Sequence, residues 1–154
     1  ALSMKLRDAE KNGKLPKIVM PVHFAGQSCD MINIKKLSEK YGFKIIEDAS
    51  HAIGGVYKNT KIGSCKFSDI TVFSFHPVKI ITTAEGGCAT TNDENIFEKL
   101  KLLSSHGVTR NPKNMVKKTL DKWVYDQISI GFNYRMTDFQ AALGLQQIKR
   151  YKKE

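Results

Sequence analysis

No run of apolar residues in this sequence of 154 approaches the roughly 20 that a membrane-spanning helix needs. The first residues, Ala1-Leu2-Ser3-Met4-Lys5-Leu6-Arg7, are charged rather than signal-like. Cysteine is scarce and poorly placed for cross-linking. Cys29, Cys65 and Cys88 are odd in number, widely spaced and without a CxxC pair, so neither a disulfide framework nor a zinc site is supported. They read as reduced thiols of a cytoplasmic protein, and no metal ligand set is expected. No GxGxxG or Walker pattern surrounds the Gly86-Gly87 pair, which excludes it as a phosphate loop of those types. Acidic residues are the minority, 15 against 25 Lys and Arg, leaving a net charge of +10. That sign invites a nucleic-acid reading, but the basic residues are dispersed among acids over several predicted helices. No helix-turn-helix, zinc-finger or RNP pattern accompanies them, and the excess reads as solvated helix faces.

What is present is a chain with 41% hydrophobic residues, enough for one globular domain with its own core. Residues 2–11 read as a helix stopped by Gly13 and Pro16, and 17–23 as a strand with 24–27 as its exit loop. Asp30 or Asn33 caps a helix to about Tyr41 with Gly42 as its stop, and 43–48 is the next strand. Strand, helix and strand in about thirty residues make a βαβ unit, so the fold class is α/β with a mainly parallel sheet. Residues 54–64 carry hairpin chemistry around Lys58-Asn59-Thr60, 69–75 form a buried strand, and 88–91 form a returning one. Asn92 or Asp93 caps a helix through Leu103. From Val108 to Ile130 periodicity fails, and Lys113, Lys117, Lys118 and Lys122 crowd around Trp123. A loop of that length is functional or mobile by default. Thr137 or Asp138 caps a last helix whose Ala141, Ala142, Leu145 and Ile148 form an interface-like face.

The chemistry centres on Phe73 to Gly87. His76-Pro77 ends the strand because proline cannot continue a ladder, and Lys79 follows just past the strand end. Ligands of open α/β sheets bind at that edge, and a partly desolvated lysine there is a candidate for Schiff-base chemistry. Against this stands the bland reading of one surface charge among the 25 Lys and Arg. Asp48, at the end of the preceding strand, would by itself be a cap or turn residue. Ser74 would be a satisfied polar group, and His23 and His51 would be structural histidines.

The stretch Phe73-Ser74-Phe75-His76-Pro77-Val78-Lys79 continues as Ile81-Thr82-Thr83-Ala84-Glu85-Gly86-Gly87. Upstream stands Glu47-Asp48-Ala49-Ser50-His51-Ala52, and downstream Gly131-Phe132-Asn133-Tyr134-Arg135. Together they resemble the DegT/DnrJ/EryC1/StrS family of pyridoxal 5'-phosphate (PLP) dependent aminotransferases acting on nucleotide-linked keto sugars. The likeness runs from about Ile18 onward in the family's order and spacing. It is greatest to the branch that aminates a UDP-linked 4-keto-6-deoxy-N-acetylhexosamine at C4 in the pseudaminic acid pathway, for surface glycan or flagellin sugars.

The resemblance implies a three-layer α/β/α PLP-transferase large domain, present here incomplete. The chain, which has no initiator Met and ends inside a helical pattern, is read as an internal fragment of it over residues 1–154, without the N-terminal part of that domain and without the C-terminal small domain. It also implies roles. Lys79 holds PLP and moves the proton, Asp48 faces the pyridine nitrogen, and His51 lies over or beside the ring. Ser74 binds the PLP phosphate, and Asn133 reaches the phosphate of the neighbouring subunit in a homodimer. The partners implied are a nucleotide-linked keto sugar and an amino-acid donor, L-glutamate, with neither nucleic acid nor membrane. Another nucleotide sugar such as UDP-4-keto-arabinose stays open, and a basic nucleic-acid-binding domain is the remote alternative. Dehydratase relatives carry histidine where Lys79 stands, so the lysine argues against that chemistry.

Overall fold

Two parallel strands joined by a helix set the frame. Ile18–Val19 (β1) pairs in parallel with Lys44–Asp48 (β2), Ile18 opposite Lys44 and Val19 opposite Ile45, and Met31–Tyr41 (α2) makes the crossover. Of the two caps the sequence offers, Asp30 takes the role, its side chain accepting the Asn33 N–H. The helix stops at Gly42, whose φ of +77° is a left-handed conformation that glycine adopts without a Cβ clash. Leu2–Lys11 (α1) precedes this unit and contributes Leu6 to a core with Met31, Phe43 and Ile45. The first strand is shorter than residues 17–23. Pro21 lacks a ladder N–H, and beyond Val19 only a single bridge, Val22 with Asp48, continues the pairing.

Val56–Tyr57 (β3) and Thr60–Lys61 (β4) form the expected hairpin. Lys58 and Asn59 both have positive φ, +47° and +61°, as a two-residue primed turn requires. Ile70–Ser74 (β5) then adds in parallel to β2 with Asp48 opposite Val72, and Gly87–Thr90 (β6) returns antiparallel with Gly87 opposite Ser74. The sheet order is β1-β2-β5-β6, mostly parallel with one antiparallel strand. A Cβ on Gly87 would stand 2.7 Å from the Phe73 carbonyl oxygen, so the return strand closes this tightly only with glycine there.

The computed structural model describes residues 1–116, 121 and 123–151. These divide into two units, one of residues 1–92 and the chain from Phe139 onward, the other Asp93–Asp138. In the second unit Glu94–Ser104 (α3) is capped by Asp93, which accepts the Asn95 and Ile96 N–H groups. Val108–Thr109 (β7) pairs antiparallel with Asp126–Gln127 (β8). The aperiodic 108–130 segment is therefore tied by a short ribbon at its ends, pairing that periodicity over two residues could not reveal. Lys117, Lys118 and Lys122 lie outside the described residues. Asp138–Tyr151 (α4) brings Gly144 against Thr83, where a Cβ would approach the Thr83 methyl to 2.8 Å, and Gln140 Nε2 donates to the Glu85 carbonyl at 2.9 Å. Leu145 and Ile148 of the interface-like face remain exposed among the described residues. No helix of the described residues is long and apolar enough to cross a membrane.

Candidate active site

Because β2 and β5 run parallel, their C-terminal ends open on one edge of the sheet. Asp48 is the last residue of β2 and Ser74 the last of β5. Lys79 follows on a loop pinned at both ends. Phe75 N–H donates to the Gly86 carbonyl at 2.8 Å, Thr83 N–H to the Phe75 carbonyl at 3.0 Å, and Lys79 N–H to the His76 carbonyl at 3.0 Å. Buried Ile81 and Thr83 anchor the same loop, and Lys79 itself is half-buried.

Asp48 Oδ1 accepts the Ser50 N–H at 3.0 Å. Hydrogen bonding from Ser50 holds its carboxyl below the ordinary aspartate value, and the charge of Lys79 lowers it further. The residue is thus an ionised carboxylate within electrostatic reach of Lys79. Ser74 Oγ accepts the His76 N–H at 3.4 Å, which leaves the hydroxyl hydrogen free to donate elsewhere. His51 is exposed. Its Nδ1 accepts the Ala25 N–H at 3.3 Å, and the Phe24 ring meets it edge-on at 5.9 Å.

Asp48, His51, Ser74 and Lys79 therefore gather where the parallel strands end. Asn133 belongs to the second unit, where it bridges Ser105 antiparallel while Tyr134 N–H donates to the Ser104 carbonyl at 2.9 Å. Its side chain is exposed, and Arg135 Nη1 donates to Ser105 Oγ at 3.3 Å beside it.

Sequence reasoning missed one constellation behind this edge. Glu47, on the opposite face of β2 from Asp48, is buried, and His23 is fully buried against it with Nε2 to Oε2 at 2.7 Å. Cys29 N–H donates to His23 Nδ1 at 3.2 Å, so the ring is the neutral tautomer whose Nε2–H donates to the carboxylate. Ser68 Oγ and Thr71 Oγ1, the latter at 3.1 Å, donate to the other carboxylate oxygen. Burial pushes the Glu47 carboxyl up, and the donors from His23, Ser68 and Thr71 outweigh it and hold it below the ordinary value. The signal was available in Lys44-Ile45-Ile46-Glu47-Asp48, where alternation places Glu47 on the core face with Ile45.

Comparison with known proteins identifies the family and the fold. The pattern of the DegT/DnrJ/EryC1/StrS aminotransferase family matches residues 9–154. The UDP-4-amino-4,6-dideoxy-N-acetyl-beta-L-altrosamine transaminase of Campylobacter jejuni serotype O:2 is 43% identical over 145 residues, covering 94% of this chain and 35% of that protein. Helicobacter pylori PseC, an aminotransferase involved in the biosynthesis of pseudoaminic acid, superposes with a TM-score of 0.77 at 40% identity, covering 89% of this chain and 34% of its own. Spr1654 of Streptococcus pneumoniae, solved in a PLP form, superposes at 0.71 with 33% identity, covering 89% of this chain and 37% of its own. The chain spans about a third of the length of the relatives it matches. With its sheet, its strand-end lysine and its matched length taken together, the chain belongs to the DegT/DnrJ/EryC1/StrS aminotransferase family.

Proposed function

We propose that the protein carrying this chain is a cytoplasmic, PLP-dependent aminotransferase that moves an amino group from L-glutamate to C4 of a nucleotide-linked 4-keto-6-deoxy sugar for surface glycan synthesis. These 154 residues belong to its PLP-binding large domain, and the active site is shared across a homodimer. The observation that carries the reading is the half-buried Lys79, on a pinned loop at the C-terminal edge of the sheet, within electrostatic reach of the ionised Asp48 on the neighbouring strand. The names of the Campylobacter and Helicobacter relatives support the sugar class.

The residues fit PLP by their donor and acceptor chemistry. Asp48 is an ionised acceptor, suited to holding a proton on a pyridine nitrogen. Ser74 has a hydroxyl hydrogen free to donate to a phosphate oxygen, and the Asn133 amide donates without adding charge. His51 offers an exposed ring face for stacking and a ring nitrogen for hydrogen bonding. PLP, when bound, supplies an electron sink that the side chains lack. Lys79 would hold the cofactor through its amine; once the donor's amine has displaced it, the freed Lys79 amine would take the proton from the donor carbon as base and give it back as acid. Because this chain spans about a third of its relatives' length and Asn133 would act only across an intact dimer, the chain by itself is expected not to turn over.

The test is a panel of nucleotide keto sugars offered to the full-length protein with PLP and L-glutamate, reading 2-oxoglutarate and amino sugar. Amino transfer to the UDP-linked 4-keto-6-deoxy-N-acetylhexosamine is expected. Transfer only to UDP-4-keto-arabinose would move the substrate, and transfer to no keto sugar would overturn the reading.

A further inference from the structure

We infer that His23, locked to Glu47 behind the sheet, is a positioning residue for Asp48; this rests on Asp48 being the partner of the PLP ring nitrogen. On its β1 side Asp48 is held by a segment that is not itself a strand. Asp48 N–H donates to the Pro21 carbonyl and His23 N–H to the Asp48 carbonyl, both at 2.9 Å, with Val22 bridging Asp48 between them. The regular ladder has ended at Val19, and Pro21 offers no N–H of its own. What fixes the segment is the His23 side chain, buried completely, donating to Glu47 at 2.7 Å and accepting the Cys29 N–H at 3.2 Å. Cys29 adds a second tie, its Sγ donating to the Val22 carbonyl at 3.2 Å.

The same segment continues to Ala25, whose N–H holds the His51 ring. One buried imidazole therefore sets the strand end that carries Asp48 and the turn that orients His51. An apolar pair of similar volume would fill this space without desolvating a carboxylate, so stability alone does not call for it. Glu47 in turn is held by Ser68 and Thr71, from the entry to β5 and from β5 itself. The network thus links the segment before the crossover, β2 and β5, the elements whose ends carry Asp48 and Ser74.

The experiment is a double-mutant cycle in the full-length protein. PLP affinity is read by absorbance titration of the apoprotein, the pH profile of the bound-PLP spectrum is the second readout, and the urea midpoint checks folding. His23→Asn keeps an acceptor for Cys29 but withdraws the donor from Glu47, and is expected to weaken PLP binding on the order of tenfold. It should shift the pH profile in the direction that Asp48→Asn shifts it. His23→Gln, which can still reach Glu47 with its amide, should restore most of both. In the Asp48→Asn background His23→Asn should cost nothing further, because the two act through one contact. Additive losses, or unchanged affinity in His23→Asn, overturn the inference alone. An Asp48→Asn variant with unchanged affinity and profile overturns the Asp48 assignment and the inference with it. Glu47→Leu, which leaves the His23 Nε2–H without its acceptor, takes the place of His23→Asn in the same cycle if that variant does not fold, with the same two outcomes.

Discussion

Glu47 and Asp48 are neighbours on one strand, both carboxylates, both held below their ordinary pKa, and they serve opposite sides of the sheet. Glu47 is buried and surrounded by side-chain donors from His23, Ser68 and Thr71. Asp48 is half-buried at the strand end and bonded to the Ser50 N–H. The period of two in a β-strand is enough to separate them. One carboxylate is consumed by the fold, and the other keeps acceptor capacity for a ligand. A charge in a strand is thus informative only together with the face it occupies.

That division predicts which variants lose chemistry and which lose stability. Lys79→Ala, at the open edge, should lower transamination by at least about 10³-fold. Its urea midpoint should correspond to a change within about 0.5 kcal/mol, because truncating a half-buried lysine opens no core cavity. Measurable turnover near wild type would remove Lys79 from the chemistry. Glu47→Ala should do the reverse of Lys79→Ala in stability, costing about 3 kcal/mol by urea denaturation because His23, Ser68 and Thr71 lose their acceptor. A cost under about 0.5 kcal/mol would show that the network holds nothing together.

Asp48→Asn sharpens the contrast within the strand. Turnover should fall by about 10²-fold, since an amide does not stabilise a protonated ring nitrogen as a carboxylate does, while stability changes by less than about 1 kcal/mol. Equal losses of stability in Asp48→Asn and Glu47→Ala would erase the distinction between the two faces. The smallest effect concerns acid. The folded-state pKa of Glu47 is depressed, so its stabilisation is fully present above the unfolded value and is lost as pH falls through the folded one. Between neutral pH and about pH 3 the urea midpoint should therefore drop more steeply in wild type than in Glu47→Gln. Identical slopes would mean that Glu47 is not preferentially ionised in the folded protein.

Much of the frame was legible because local chemistry governs it. Gly42 and the Lys58-Asn59 turn need left-handed backbone, Asp30 and Asp93 cap their helices, and the βαβ spacing sets a parallel pair. The strand-end placement of Asp48, Ser74 and Lys79 followed from the same pattern. Other features depend on contacts distant in sequence. The first strand ends early because Pro21 interrupts its ladder, and the 108–130 segment closes through β7 and β8, seventeen positions apart at Thr109 and Asp126. His23 reads as an isolated structural histidine until Glu47, twenty-four positions on, is found against it. The role proposed for Asn133 would depend on a second subunit, a contact that one chain's residue pattern does not encode.

In the function proposed above, the parallel-strand edge at Asp48, Ser74 and Lys79 is where PLP is held. The direct measurement is borohydride reduction of the full-length protein saturated with PLP, followed by peptide mapping by mass spectrometry. A single pyridoxyl label on Lys79, lost in Lys79→Ala, is the predicted result. A label on another lysine, or none at saturating PLP, would contradict it.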